Sequence, residues 1–175
     1  MVVIYQLTQL KLGLKEDIKV IKDAVFGEIE YDSSWHRRIR VGFNNEDTDI
    51  MLTIHGDEDA DFEEEQYIAY RALMDSWSGI HMKLLEPILE YYTKERIESG
   101  YDIEDNEDYP QIDTVAQLLE HIKLVGIIVP YAEMYGDDAR NIGVSFSCSW
   151  DSENGIGLCL LNEQVYEVGA QDIVF

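Results

Sequence analysis

Ile142-Gly143-Val144-Ser145-Phe146-Ser147-Cys148-Ser149-Trp150 runs into Asp151-Ser152-Glu153-Asn154-Gly155 and then Ile156-Gly157-Leu158-Cys159-Leu160. Apolar residues occupy every second position on both flanks, the period of a strand with one buried face. The stretch between is rich in turn formers. This predicts a β-hairpin. Pairing Trp150 with Ile156, Cys148 with Leu158 and Phe146 with Leu160 puts the apolar side chains on one face. The turn then has five residues, with Gly155 free to take a positive φ. Cys148 would face the core, and Cys159 the opposite side as a partly exposed thiol.

Downstream, Asn162-Glu163 reads as a second turn and Gln164 to Val168 as a third strand. Asp172 to Phe175 either closes the sheet or trails off. Upstream, three further segments alternate: Gly27 to Tyr31, Trp35 to Phe43 and Asp49 to His55. In the second, Ile39, Val41 and Phe43 share one face, and Arg38, Arg40 and Gly42 the other. Polar turns at Asp32-Ser33-Ser34 and Asn44-Asn45-Glu46-Asp47 make this an antiparallel meander. Before it, Val2 to Leu14 suggests a strand and turn, and Ile18, Ile21 and Val25 have helical spacing from Lys15 onward.

The middle of the chain reads as helical. Asp61, Glu63, Glu64 and Glu65 suit the positive end of a helix dipole. Ile68, Ala69, Ala72, Leu73 and Trp77 then form a stripe that ends near Ser78-Gly79. A second helix spans about Ile80 to Ile97, with Pro87 as a kink or true start. Gly100 to Asp113 is an acidic loop. Thr114 and Gln117 form a capping box for a short helix to about Ile122. The fold class is therefore α+β. An antiparallel sheet, built from an N-terminal meander and a C-terminal hairpin and meander, packs on two to three central helices. Length fits one domain over 1–175, with 1–25 as an optional N-terminal appendage.

Thirty-six acidic residues against 13 basic ones give a net charge of -23. The excess is bunched in Asp57 to Glu65 and Asp102 to Asp108. Such a surface repels nucleic acid and anionic lipid and attracts basic proteins. With 46% apolar residues the chain has ample material for a core. No apolar run reaches the ~20 residues of a membrane helix. The start has no secretory signature, and two cysteines make no disulfide framework. A cytoplasmic protein is the expectation.

Motifs for chemistry are sparse. Asp57-x-Asp59-x-Asp61 has Phe62 and Ile68 where a calcium loop needs glycine and a bidentate glutamate. In Asp102 to Asp108, Glu107 takes the glycine position. His36, His55, His81 and His121 lack the spacing of a helical zinc pair. Gly155-Ile156-Gly157 leads into a strand, so it is no phosphate cradle. Glu133, Asp137, Asp138, Asp151 and Glu153 are carboxylates that sequence alone cannot pair as a glycosidase requires. No metal or cofactor is expected, and no catalytic residue is assigned. Trp150-Asp151 admits two readings: an aromatic binding anchor flanked by acids, or a core-edge residue with a turn-capping aspartate.

Ser145 to Gly157, Tyr166-Glu167-Val168-Gly169 with Asp172, and Phe26-Gly27-Glu28-Ile29-Glu30-Tyr31-Asp32 with a following Trp together resemble small acidic bacterial proteins known as domains of unknown function. The resemblance covers most of the chain from Phe26. It implies fold more than function and transfers no catalytic residue. By analogy it suggests immunity proteins that neutralise toxins.

The leading reading is a protein that binds a basic protein partner, of the kind that inhibits a toxin. Asp57, Glu58, Asp59, Asp61, Asp102, Glu104, Asp105, Glu107, Asp108 and Tyr109 form the candidate contact set. One alternative is a metal-dependent hydrolase using carboxylates and histidines. Another is a housekeeping or assembly protein, homo-oligomeric through a sheet edge.

Overall fold

The computed structural model describes residues 3–5, 18–101, 106–132 and 139–175. Among these, nine strands form one sheet whose spatial order follows the sequence. β1 (Val3–Tyr5), β2 (Lys19–Asp23), β3 (Gly27–Asp32), β4 (Ser34–Phe43) and β5 (Glu46–Ile54) form a first antiparallel run. Helix α1 (Glu64–Ile80), a 3₁₀ turn (His81–Leu84), α2 (Leu85–Glu98) and the short α3 (Val115–His121) come next. β6 (Ile122–Val129), β7 (Asn141–Cys148), β8 (Ile156–Leu161) and β9 (Gln164–Gly169) form a second antiparallel run, and a 3₁₀ turn spans Gln171–Val174.

The two runs meet at β5 and β6, which pair in parallel with Leu52 opposite Ile127 and Ile54 opposite Val129. This corrects the wholly antiparallel expectation. A parallel pair requires a long crossover, and the helices are that crossover. The protein is α+β but dominated by a mostly antiparallel sheet. Its helical part is one long run interrupted by a 3₁₀ turn, plus the short α3, in place of two to three separate helices.

Sequence explains each helix start. Glu63 and Gln66 make a capping box for α1, and Thr114 and Gln117 make one for α3. Pro87 sits in the first turn of α2, where its missing N–H has no partner to lose. The buried stripe of α1 is Gln66, Ala69, Tyr70, Leu73 and Trp77. Ile68, expected on it, is 46% exposed, and Ser78-Gly79 lies inside the helix rather than ending it. Trp77 Nε1 donates to the Gly42 carbonyl at 2.7 Å, fixing α1 against the end of β4.

The segment from Lys19 is a strand, not the helix expected from Lys15 onward; 15–17 lie outside the described residues. Ile21 opposes Ile29 across β2 and β3, and both are buried, while Ile18 is exposed. A period of two therefore governs where three apolar residues also matched a helical spacing. The β2–β3 hairpin docks on α1 through Phe26, which is fully buried and stacks on Tyr67 at 5.0 Å. Asp23 Oδ1 accepts from the Val25 and Phe26 amides, both at 2.7 Å. Its Oδ2 accepts from the Tyr67 hydroxyl at 2.9 Å. Burial first, then this bond, pushes the Tyr67 hydroxyl up to about 12.

The β7–β8 hairpin is slipped by four from the expected register: Phe146 faces Ile156, Val144 faces Leu158 and Ile142 faces Leu160. An even slip keeps every apolar side chain on the same face. It lengthens the turn and leaves Trp150 outside the strand. Gly155 does take a positive φ, 59°.

The second face of β6 to β8 is covered by the C-terminal turn. Val174 is 4% exposed and packs with Ile128 and Cys159, with Ile173 against them. The small residues of β7 and β8 make room for it: a Cβ on Gly143 would lie 2.7 Å from Val174 Cβ. Asp172 to Phe175 therefore neither adds a strand nor trails away. Cys148 and Cys159 do point to opposite faces, but both are buried and neither is in a disulfide; Cys159 Sγ donates to the Ile173 carbonyl at 3.4 Å. The partly exposed thiol expected at Cys159 is corrected by this cover.

Candidate functional site

The first acidic stretch leaves β5 and turns into α1. Trp35 Nε1 and the Ala60 amide both donate to the Asp57 carbonyl, at 2.8 and 2.9 Å. Ala60 has a φ of 61°, which closes the turn. Lys19 Nζ donates to the Glu58 carbonyl at 2.5 Å. The loop's backbone is thus tied down while the side chains of Asp57, Glu58, Asp59 and Asp61 stay exposed. Glu63 is engaged within the fold: its Oε2 accepts from the distant Ala132 amide at 2.6 Å.

The second stretch lies beyond α2. Asp102, Glu104 and Asp105 fall outside the described residues. Glu107 and Asp108 are exposed, and Tyr109 stacks on Tyr101 with centroids 4.3 Å apart and planes 12° apart. Arg96 Nε donates to the Tyr109 carbonyl at 3.1 Å, and the Tyr92 hydroxyl to the Pro110 carbonyl at 2.5 Å. Tyr92 in turn meets Trp150 at 4.3 Å. The Trp150-Asp151 turn and the Asp108-Tyr109 loop therefore belong to one neighbourhood.

Electrostatics agree with that convergence. Burial raises the Tyr109 hydroxyl, and the Tyr101, Asp151 and Asp108 fields add to it. Burial also raises Tyr91, with further push from Glu95, Asp151 and Asp172. Asp151 thus acts on both Tyr109 and Tyr91, which ties the 150–151 turn to this neighbourhood. Of the two readings of Trp150-Asp151, the core-edge and turn-capping one matches the structure. Asp151 Oδ1 accepts from the Asn154 amide at 3.1 Å, a turn-capping role. Trp150 is only partly buried against the core.

The two stretches are built on different elements, 57–61 between β5 and α1 and 106–109 between α2 and α3. The histidines are likewise dispersed. His36 lies on β4, His55 follows β5, His81 stacks on Trp77 after α1, and His121 ends α3 with its Nδ1 2.9 Å from Ser149 Oγ. Among the described residues no group of three or more His, Cys, Asp or Glu is arranged to hold a metal. Glu133, Asp137 and Asp138 lie outside those residues. Among the described residues no helix is long and apolar enough to cross a membrane.

Sequence reading missed the polar residues of the interior. Gln66, 2% exposed, donates from Nε2 to the His55 carbonyl at 2.9 Å and the Pro130 carbonyl at 3.0 Å. Asn141 donates to the Ala132 carbonyl at 3.0 Å. Arg37 Nε is buried without a hydrogen-bond partner among the described residues. A glutamine three residues after Glu63, the spacing of a capping box, is the signal that could have marked Gln66.

Fold and surface define an acidic, sheet-dominated α+β protein with an aromatic and carboxylate patch. The chain belongs to the family described as Domain of unknown function (DUF6985), whose model matches residues 25–175. No curated protein and no solved structure matches it.

Proposed function

We propose that the protein works by binding a basic protein, with Asp57, Glu58, Asp59 and Asp61 steering the encounter. The patch of Tyr109, Tyr101, Trp150, Asp108 and Asp151 would anchor an arginine or lysine. An immunity-type inhibitor, laid over the basic active site of a toxin, is the specific form this reading takes. What carries it is that, among the described residues, no ion pair engages the carboxylates of either stretch. The ion pairs among the described residues are Arg40–Asp49, Lys94–Glu98 and Arg140–Glu163, and none uses an acid of 57–61 or 106–109. Exposed like charges cost folding stability through self-repulsion, and an opposite field on a partner offsets that cost while speeding association.

The test begins with crosslinking capture in the source cells, then reconstitution with the captured protein. The partner should be basic, and its association rate should fall steeply with salt. Asp108→Asn with Asp151→Asn should raise the dissociation rate about tenfold, as loss of an anchoring contact does. Neutralising 57–61 should lower the association rate. A neutral or acidic partner, or rates indifferent to both sets of changes, would refute the reading.

A further inference from the structure

A groove of ≈ 630 Å³ runs along α2, lined by Leu89, Glu90, Thr93, Lys94, Ile97, Glu98, Ile112 and Asp113. Its helical side is a regular stripe. Leu89, Thr93 and Ile97 recur at every fourth residue and so share one face. Ile112, from the segment leading into α3, closes the other side. Ile97 is 55% exposed, a large apolar side chain left open in the groove lining. The rim carries Glu90, Glu98 and Asp113 against Lys94, whose Nζ lies 3.7 Å from Glu98.

We infer that this groove takes an amphipathic basic helix of the partner protein, an inference that rests on the binding role proposed above. The dimensions suit such a segment. Leu89 to Ile97 covers about 12 Å along α2, roughly two helical turns. An apolar groove of that length accepts two or three side chains spaced by three or four residues from a partner helix. Charge selects among possible occupants. Three rim carboxylates and one lysine, already beside a glutamate, favour a helix whose polar flanks carry Lys or Arg. A second copy of this chain, itself at -23, is disfavoured by the same field.

The groove and the aromatic patch are neighbours through α2. Tyr92 and Arg96 contact the patch, and both also line a smaller hollow with Thr93, Ile97 and Ile112. A basic helix seated in the groove would therefore place an adjoining arginine or lysine within reach of Asp108 and Asp151.

The probe is a synthetic peptide of about 14 residues, long enough for helix to form on binding, with Leu and Lys at helical spacing. One control replaces Leu by Ser and keeps the charge. Another replaces Lys by Glu and keeps the apolar face. Amide shifts of the full chain, followed by NMR, should cluster at Leu89, Thr93, Ile97 and Ile112 with the Leu/Lys peptide alone. Ile97→Asp, at an exposed position that leaves the core untouched, should weaken binding at least about tenfold. Thr93→Arg should do the same by filling the groove. Asp108→Asn with Asp151→Asn should weaken this peptide by less than Ile97→Asp does and leave the shifts at Leu89, Thr93 and Ile97 in place, which separates the groove from the anchoring patch. Equal binding of the Ser control, shifts centred on 57–61, or indifference to both groove variants would overturn the assignment. Self-association abolished by Ile97→Asp would do so as well.

Discussion

At the scale of single residues, the interior depends on polar groups that hydrophobic patterning cannot reveal. Gln66 ties the start of α1 to the ends of β5 and β6 by bonding the His55 and Pro130 carbonyls. Gln66→Leu preserves bulk but strands those carbonyls, which should cost about 2–3 kcal/mol. Urea denaturation measures this, and a change below about 0.5 kcal/mol would mean the carbonyls find water. His55, beside Gln66 and with Tyr131 at 5.9 Å, is held by burial below its ordinary 6.5. The unfolded chain therefore takes up this proton at higher pH than the folded chain. Stability from neutral His55 is complete above 6.5 and is lost as pH falls through its lower folded value. The wild type should lose stability relative to His55→Gln across that window. Parallel profiles of the two proteins from about pH 7.5 to about pH 5 would show that the ring titrates normally. The candidate site was legible only as runs of charge. Asp108 and Asp151 appear unrelated in the sequence because the contact that unites them, Tyr92 with Trp150, depends on how α2 meets the β7–β8 turn.

At the scale of elements, the C-terminal turn is the part whose role least resembles its sequence. Gln171–Val174 is short and half polar, so nothing in its pattern marks it as a cover. The signal lies elsewhere, in the glycines of β7 and β8, whose missing side chains leave a slot that Val174 fills. Removing 171–175 should uncover Ile128 and Cys159 and cost about 2 kcal/mol from the lost burial of Val174. Cys159, 3% exposed in the intact chain, should then react with a thiol reagent under native conditions while Cys148 stays protected. Unchanged labelling of Cys159 would show that the turn does not shield it. The strands themselves were legible because alternation is local: β3 and β4 lie where period two placed them, while β5 starts three residues early because Glu46 and Asp47, expected in the turn, pair with Phe43 and Gly42. The parallel join of β5 to β6 was not, since it spans the whole helical crossover and no turn encodes it. The hairpin register failed for a related reason. Trp150 is apolar and in phase, but its ring is taken by Tyr92 rather than by a cross-strand neighbour.

At the scale of the whole molecule, charge sets how the protein responds to its medium. A net charge of -23, with ion pairs as few as those among the described residues, makes the folded state self-repelling. Raising NaCl from about 0.01 M to about 0.15 M shortens the screening length from about 30 Å to about 8 Å. Repulsion summed over the surface weakens more than the few exposed attractions, and Arg40–Asp49 and Lys94–Glu98 are solvent-exposed pairs that contribute little. Added salt should therefore stabilise the fold by about 1 kcal/mol, a rise in Tm of about 2–4 °C for a chain of this size. A fold held together by its ion pairs would respond with the opposite sign. The same salt must weaken any complex with a basic partner, because attraction between the two fields is screened along with repulsion within one. The two measurements constrain each other. Calorimetry of the free chain should show Tm rising with salt while binding to the captured partner weakens over the same range. A Tm that falls, or a complex that tightens, would mean that the acidic surface is neutralised within the chain and does not select what it binds.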